Sequence, residues 1–311
     1  MSTRDVVILS AARTPIGKYG GSLRDIHPAE LGAVAARAAI ERAALQSSDV
    51  NDVWIGHGRQ AGSGPNPARQ VGHRAGIPHT TPAQTINKAC ASGLQAIVSA
   101  AQSIALGESD VVLAGGIESM SRMPYLIDAI DARWGHRMGN FTLVDAMYRD
   151  GFQCPLSNLI MGETAEVLAR QYGITREESD CYAFESQKRA KMAIEAGYFT
   201  REIAPVTVDV KGKTTVIDRD EHPRGDTTME SLRKLAPVFG RWHHHGRFIL
   251  GDHRRRRGAG ARIGRGGSQA RIETARPHRR VGERRRRSEN HGHRSRAGHS
   301  QAAGAHWPAT R

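Results

Sequence analysis

Residues 85–97 place a single cysteine between a strand-like segment and an apolar helix. β-Branched residues come first, Cys90 follows within a turn of small residues, and a helical run then ends near Gly107. A helix N-terminus carries partial positive charge, which favours the thiolate form of a thiol placed there. A thiolate can attack a thioester and hold its acyl group covalently. Cys90 is therefore the candidate catalytic residue, against the alternative of a buried structural cysteine.

The other two cysteines, Cys154 and Cys181, lie in no comparable pattern. Three cysteines without metal-like spacing indicate a reducing compartment. We expect no apolar leader and no segment that spans a bilayer, so the predicted location is cytoplasmic. We expect Cys154 and Cys181 to be ordinary thiols and Cys90 to alkylate faster than either.

Alternating strands and helices must position Cys90, and their spacing favours a layered α/β sheet. The first helix begins at Pro28 and the second at Pro67, with Asn66 as its cap. The first helix is predicted to end at Leu45, and Gly115-Gly116 to close the last strand. The predicted strands are Asp5–Ser10, Asp52–Gly58, Gln84–Lys88 and Asp110–Ala114.

Residues 119–240 have a different pattern, predicted to be an inserted α+β domain. Residues 121–160 are rich in loops, and Thr175 with Glu178 forms a capping-box pattern before the second of two helices. The predicted helices are Gly162–Tyr172 and 176–196, and the predicted strands are Ile203–Val210 and Thr214–Ile217. The sequence therefore divides into a sheet domain at 1–118, an insertion at 119–240 and a tail at 241–311.

The tail has a composition unlike the rest of the 311-residue chain, whose net charge is +14. Residues 241–311 contain nineteen arginines, no lysine and four acidic residues, so residues 1–240 are close to neutral. High charge and few large apolar residues predict disorder in the tail.

Five ordered blocks resemble the thiolases, the group of acetyl-CoA acetyltransferases and 3-ketoacyl-CoA thiolases. They cover the chain from about residue 4 to 240. The blocks are Ala12–Lys18, Asn87–Gly93, Gly115–Ser121, Met161–Glu166 and Asp220–Arg224.

This resemblance implies a thiolase-like fold with α/β/α/β/α layers in complete members, of which this chain has the first half and the inserted domain. It implies acyl transfer through a Cys90 thioester, with coenzyme A thioesters as substrates and no tightly bound cofactor. Arg224 and Ser231 match positions near the nucleotide part of coenzyme A, and Met161 matches one near the pantetheine. The resemblance also implies a homo-oligomer, either a dimer or a tetramer.

Two departures from the thiolase pattern modify these expectations. Ile160 stands where some biosynthetic members have histidine, which favours the degradative, longer-chain class. Residues 241–311 contain no motif matching the family's activating histidine, second cysteine or oxyanion-site asparagine. We therefore expect little or no complete turnover from this chain.

The tail admits three further hypotheses. The run His243-His244-His245 suggests a metal site, although three adjacent histidines cannot all face one ion. The arginine runs suggest a non-enzymatic thiolase-like domain with a nucleic-acid-binding tail, without sequence choice. The abrupt change at Gly240 suggests a frameshift in GC-rich DNA. Without the first base of the Trp242 codon, the following codons permit Gly-Thr-Ile-Thr-Ala-Gly-Ser-Ser-Ser-Gly-Ile-Thr-Asp-Gly-Ala, which resembles the next thiolase segment.

Overall fold

The computed structural model describes residues 5–210 and 212–239, and a parallel three-stranded sheet organises the first part of them. Its strands are β1 (Asp52–Gly56), β2 (Ala83–Ile86) and β3 (Val112–Gly116), in the order β2-β1-β3. Val53 of β1 lies opposite Ala83 on one side and Leu113 on the other. The carboxyl ends of all three strands therefore meet at one edge of the sheet.

Three helices connect or cover these strands: α1 (Pro28–Arg42), α2 (Pro67–Arg74) and α3 (Ser92–Leu106). The predicted cap of α2 is confirmed, because the Asn66 side chain accepts a hydrogen bond from the Arg69 amide. Gly107 ends α3 in the left-handed conformation, as glycine readily does. The first helix ends at Arg42 rather than the predicted Leu45, since Ala44 has a φ of 55°.

The two faces of the sheet carry different side chains because residues alternate along each strand. Val53, Ile55 and Leu113 pack in one core cluster with α1 and α2. Val112 and Ala114 pack in another with Trp54 and α3 residues Ile97, Ala100 and Ile104. This part of the chain therefore has three layers, and the predicted α/β class is confirmed.

The later part of the chain combines short strands with longer helices. The antiparallel strands β4 (Tyr125–Leu126) and β5 (Val144–Asp145) precede α4 (Met161–Tyr172) and α5 (Arg176–Glu195). The predicted capping box of α5 is confirmed: the Thr175 hydroxyl accepts from the Glu178 amide, and the Glu178 carboxylate accepts from the Thr175 amide. The chain continues through the hairpin β6 (Val206–Val210) and β7 (Lys213–Ile217) to α6 (Met229–Arg233). Short 3-10 or π turns cover Ser47–Asp49, Met120–Arg122, Asp131–Gly135 and Tyr148–Phe152.

The β6–β7 hairpin packs on the first part of the chain. Val206 and Val208 are buried with Leu23 and with Leu31 of α1. The hairpin therefore shares a hydrophobic cluster with the sheet domain, although the predicted sequence division assigns it to the insertion.

Three predicted strands are shorter in the structure: Asp52–Gly58 ends at Gly56, Gln84–Lys88 ends at Ile86, and Ile203–Val210 begins at Val206. Two further strand predictions need correction. Asp5–Ser10 is not a strand, because it pairs with no other strand in the described part of the chain, and Val7 and Leu9 remain about half exposed. The last strand of the sheet runs from Val112 to Gly116, so Gly115 and Gly116 belong to β3 instead of closing it. Both errors arise because strand limits depend on pairing partners that local residue patterns do not identify.

One helical stretch in the described residues, Ala89–Leu106, is long and apolar enough to cross a membrane by length and composition alone. This stretch differs from the expectation, drawn from the sequence, of no segment that spans a bilayer. Only 22% of this stretch is buried in the described structure, and its buried side packs against β1 and β3. The predictions for the tail, including disorder, the histidine run, nucleic-acid binding and the frameshift, lie outside the described residues.

Candidate active site

Cys90 is exposed in the turn that joins β2 to α3. The helix begins at Ser92, with Ala91 as its N-cap, so Cys90 lies just outside the first turn. No side chain caps this helix end. The first amide groups of a helix lack internal partners and carry partial positive charge. The turn therefore presents an accessible thiol beside an uncapped helix N-terminus.

The residue before the thiol has a strained backbone. Ala89 has a φ of 49°, a left-handed conformation that non-glycine residues adopt at a cost of about 1–3 kcal/mol. Its amide donates to Asn87 Oδ1 at 3.0 Å, and its carbonyl accepts from Ser92 Oγ at 2.6 Å. Ser92 Oγ also accepts from the Lys88 amide at 2.8 Å. These hydrogen bonds hold the conformation that places Cys90.

Glycines at the strand ends make room for the start of α3. A Cβ on Gly56 would lie only 2.2 Å from the Ser92 carbonyl carbon and 2.4 Å from the Gly93 amide nitrogen. A Cβ on Gly93 would lie 3.6 Å from the Gly116 Cα. The helix N-terminus therefore rests directly on the backbone of β1, with β3 beside it. This contact explains why the Gly115–Ser121 block accompanies the cysteine block.

The Ala12–Lys18 and Asp220–Arg224 blocks are joined by a buried ion pair. Arg13 is 3% exposed and contacts both carboxylate oxygens of Asp220, at 2.7 and 2.9 Å. Its Nε donates to Glu202 at 2.9 Å. Burial opposes the charged form, but the hydrogen bonds to Asp220 and Glu202 outweigh it and raise the pKa of Arg13. These two blocks therefore tie the loop near residue 13 to the segment that contains Arg224.

Two of the residues predicted to contact coenzyme A lie near α5. The exposed Arg224 donates its backbone amide to Gln187 Oε1 of α5 at 2.7 Å. Ser231 lies in the first turn of α6, where its hydroxyl donates to the Thr228 carbonyl at 2.7 Å. Arg176 of α5 also donates to the Leu232 carbonyl at the end of α6.

Met161, the third of these residues, begins α4 and is 38% exposed. Ile160 is the N-cap of α4, and its amide donates to Glu163 Oε2 at 2.9 Å, a contact that any non-proline residue could make. The ring of Phe239 lies against Gly162, since a Cβ there would be 2.1 Å from the ring. The chain after α6 thus returns to the start of α4, beside Met161.

The other two thiols differ from each other. Cys181 is exposed on α5. Cys154 is half-buried, and hydrogen bonds from the Ser157 side chain and from the backbone of Ser157 and Leu156 lower its pKa. The prediction that Cys154 is ordinary did not include these donors. Within the described residues, no group of three or more His, Cys, Asp or Glu could hold a metal ion.

Sequence reasoning missed a polar pair at the carboxyl ends of β1 and β3, formed by a buried histidine and a partly exposed glutamate. His57 is 1% exposed, and its Nε2 lies 3.1 Å from Glu118 Oε1. Glu118 belongs to the Gly115–Ser121 block, and His57 belongs to none of the five blocks. Their positions directly after two adjacent strands are the only signal that could have paired them.

Fold and site together define an α/β protein with one exposed thiol at the carboxyl edge of a parallel sheet. The thiolase N-terminal domain model matches residues 6–243. The chain therefore belongs to the thiolase family, as the resemblance predicted.

The matched relatives are longer than the matching region. An acetyl-CoA acetyltransferase of Escherichia coli is 46% identical over 236 residues, covering 76% of this chain and 60% of the relative. One from Pseudomonas aeruginosa is 47% identical over 237 residues, with the same coverage. The crystal structure of the Bacillus anthracis acetyl-CoA acetyltransferase matches with a TM-score of 0.76 and 40% identity, covering 80% of this chain and 63% of that one. The chain thus spans about three fifths of the length of these relatives.

Proposed function

We propose that this chain is an acyltransferase of the thiolase type, in which Cys90 accepts an acyl group from a coenzyme A thioester. The observation that carries the proposal is the exposed Cys90 beside the uncapped start of α3, held by the strained Ala89 turn. The names of the relatives make acetyl-CoA the first substrate to test. Coenzyme A enters as part of a substrate, with no tightly bound cofactor.

The proposed step is a thioester exchange at Cys90. The thiolate attacks the acyl carbonyl carbon, a new bond from Sγ to that carbon forms, and the bond from carbon to the coenzyme A sulfur breaks. The proton released from the Cys90 thiol balances the proton taken up by the leaving thiol. The partial positive charge at the start of α3 lies beside the attacking sulfur.

Recognition of the carrier is assigned to Arg224, Ser231 and Met161. A guanidinium group suits the phosphates of a nucleotide because it forms charge-assisted, bidentate hydrogen bonds. The Met161 thioether suits the less polar pantetheine arm. Ser231 already uses its hydroxyl to cap α6, so we expect its contribution to be smaller than that of Arg224.

Acid-quenched labelling with radioactive acetyl-CoA tests the acyl-acceptor role. We expect one labelled peptide, the one containing Cys90, and release of free coenzyme A in equal amount. Cys90→Ser should abolish the label, whereas Cys181→Ser should retain it. Label that persists in Cys90→Ser, or none in the unmodified chain, would contradict the proposal.

A second experiment tests the carrier site. Arg224→Ala should raise the acetyl-CoA concentration that gives half-maximal labelling by about tenfold, the effect of losing one charge-assisted hydrogen bond. Arg201→Ala is the matched control, because Arg201 is also an exposed arginine but lies outside the matched blocks. Equal effects of the two substitutions would show that Arg224 contributes only positive charge and makes no specific contact with coenzyme A.

A further inference from the structure

His57 and Glu118 form a polar cluster beneath the Cys90 turn. Nε2 of His57 and Oε1 of Glu118 are at ion-pair distance, but the ring N–H is not aligned for a hydrogen bond. Nδ1 of His57 has no hydrogen-bond partner among the described residues. Burying such polar atoms is unfavourable unless the surrounding structure compensates. A packing role alone would be met by apolar side chains at lower cost.

Glu118 is connected to the segment that follows β1. Its Oε2 accepts a hydrogen bond from the Arg59 amide at 3.2 Å. Its partner His57 donates its own amide to the Ile86 carbonyl at 2.9 Å, which continues the pairing of β1 with β2. The carboxylate therefore fixes residues 57–59 against the ends of two strands.

Gly58 transmits this position to the thiol turn. Its carbonyl accepts from Asn87 Nδ2 at 3.0 Å, and Asn87 in turn holds the Ala89 amide. A Cβ on Gly58 would lie 3.2 Å from Glu118 Oε2 and 3.3 Å from the Ala89 carbonyl oxygen. The Glu118 carboxylate, Gly58 and the strained Ala89 are therefore in close contact. Ala89 immediately precedes Cys90 in the chain.

We propose that Glu118, supported by His57, is a positioning residue that sets the Cys90 turn through Gly58 and Asn87. The relevance of this role to acyl transfer rests on the proposed function. His57 is 1% exposed, so it acts through the backbone and not by touching a substrate. The carboxylate acts as a hydrogen-bond acceptor for Arg59, and an amide oxygen at the same place can do the same.

The experiment compares alkylation of Cys90 with that of Cys181, both exposed, in the same full-length chain. Timed iodoacetamide labelling with peptide mapping gives the ratio of the two rates. Glu118→Ala should lower the ratio about fivefold, because the turn would no longer hold the Cys90 sulfur beside the start of α3. Glu118→Gln should restore it to within twofold of the unmodified chain.

Asp52→Ala is the matched control. Asp52 is a buried carboxylate at the opposite end of β1, with hydrogen bonds from the Val53 amide and Trp54 Nε1. It should reduce the free energy of unfolding without changing the alkylation ratio. If Glu118→Ala does not fold, Gly58→Ala provides the same test, since its Cβ would press Glu118 and Ala89 apart by a few tenths of an ångström.

Three results would overturn the proposal: an unchanged ratio in Glu118→Ala or its replacement Gly58→Ala, the same fall in Asp52→Ala, or an equal fall in Glu118→Gln. The acetyl-CoA labelling of Cys90 is measured separately. Absence of that label with the expected alkylation ratios would reject the proposed function and leave the positioning role of Glu118 standing.

Discussion

The Cys90 and Cys154 turns hold their thiols in different ways, although each contains a residue with positive φ. In the Cys154 turn that residue is Asn158, with a φ of 55°, and asparagine tolerates this conformation. The turn closes on itself, because the Cys154 amide donates to the Leu159 carbonyl and the Cys154 carbonyl accepts from the Asn158 amide, both at 2.8 Å. In the Cys90 turn the residue is Ala89, whose carbonyl accepts from Ser92 of α3. Its amide donates to Asn87, which in turn donates to the Gly58 carbonyl after β1. The Cys154 turn is therefore held by local hydrogen bonds, whereas the Cys90 turn depends on tertiary structure.

This difference gives the two thiols different reasons to be reactive. The expected reactivity of Cys90 depends on the nearby helix N-terminus. Cys154 instead has hydrogen-bond donors at its sulfur, and they lower its pKa. The faster alkylation of Cys90 stays a prediction, and Cys154 is the thiol that would compete with it.

The strongest expected effect comes from Gly56 of β1, against which the start of α3 packs. Gly56→Ala would place a Cβ 2.2 Å from backbone atoms of α3, which cannot rotate away. We expect the free energy of unfolding in urea to fall by about 3 kcal/mol, the upper part of the range for overpacking. The Cys90 turn should be displaced at the same time, so Cys90 labelling should slow relative to Cys181.

Gly93→Ala is the control for this prediction. A Cβ there meets the Gly116 Cα at 3.6 Å, an ordinary contact, and Gly93 lies in a helix where alanine is favoured by about 1 kcal/mol over glycine. We expect unchanged or increased stability. A larger loss for Gly93→Ala than for Gly56→Ala would show that α3 does not rest on β1 as described.

A smaller effect is expected from the hydrogen bonds of Ser92. Ser92→Ala removes one bond to the Ala89 carbonyl and leaves the Lys88 amide without its partner. We expect a loss of about 2 kcal/mol in the free energy of unfolding and several-fold slower Cys90 alkylation.

Ser103→Ala separates helix stability from turn geometry. Ser103 is equally buried at the other end of α3, and its hydroxyl donates to Ser109 Oγ at 3.3 Å. This variant should lose some stability but keep the ratio of Cys90 to Cys181 labelling. The same change of ratio in both serine variants would mean that the turn merely follows the stability of α3.

Features encoded by neighbouring residues could be predicted from the sequence. Asn66 with Pro67, and Thr175 with Glu178, start their helices as predicted, because capping uses groups only two or three residues apart. Gly107 ends α3 for an equally local reason. The position of Cys90 between β2 and α3 belongs to the same class of feature.

Features that need a distant partner could not be predicted. Asp5–Ser10 has the residues of a buried strand, but its predicted pairing does not occur in the described residues. His57 and Glu118 are separated by sixty-one positions and meet only because β1 and β3 are neighbours. The contact roles of Met161, Arg224 and Ser231 stay predictions, since they concern a substrate.

The smallest expected effect is a change in the pH dependence of alkylation at Cys154. Ser157→Ala removes the side-chain hydrogen bond that contributes most to the lowered pKa of Cys154, while the backbone donors remain. The pKa should therefore rise, so the pH at which Cys154 alkylation is half-maximal should also rise. Because the thiolate is the reactive form, alkylation near neutral pH should slow by about two- to fivefold. Ser179→Ala is the control. Ser179 lies two residues before Cys181, but its hydroxyl donates to the Thr175 carbonyl at 3.0 Å. This substitution should therefore leave the pH dependence of alkylation unchanged at both Cys154 and Cys181. An unchanged Cys154 profile in Ser157→Ala would show that the backbone amides alone stabilise the thiolate, which would make the Cys154 turn independent of its side chains.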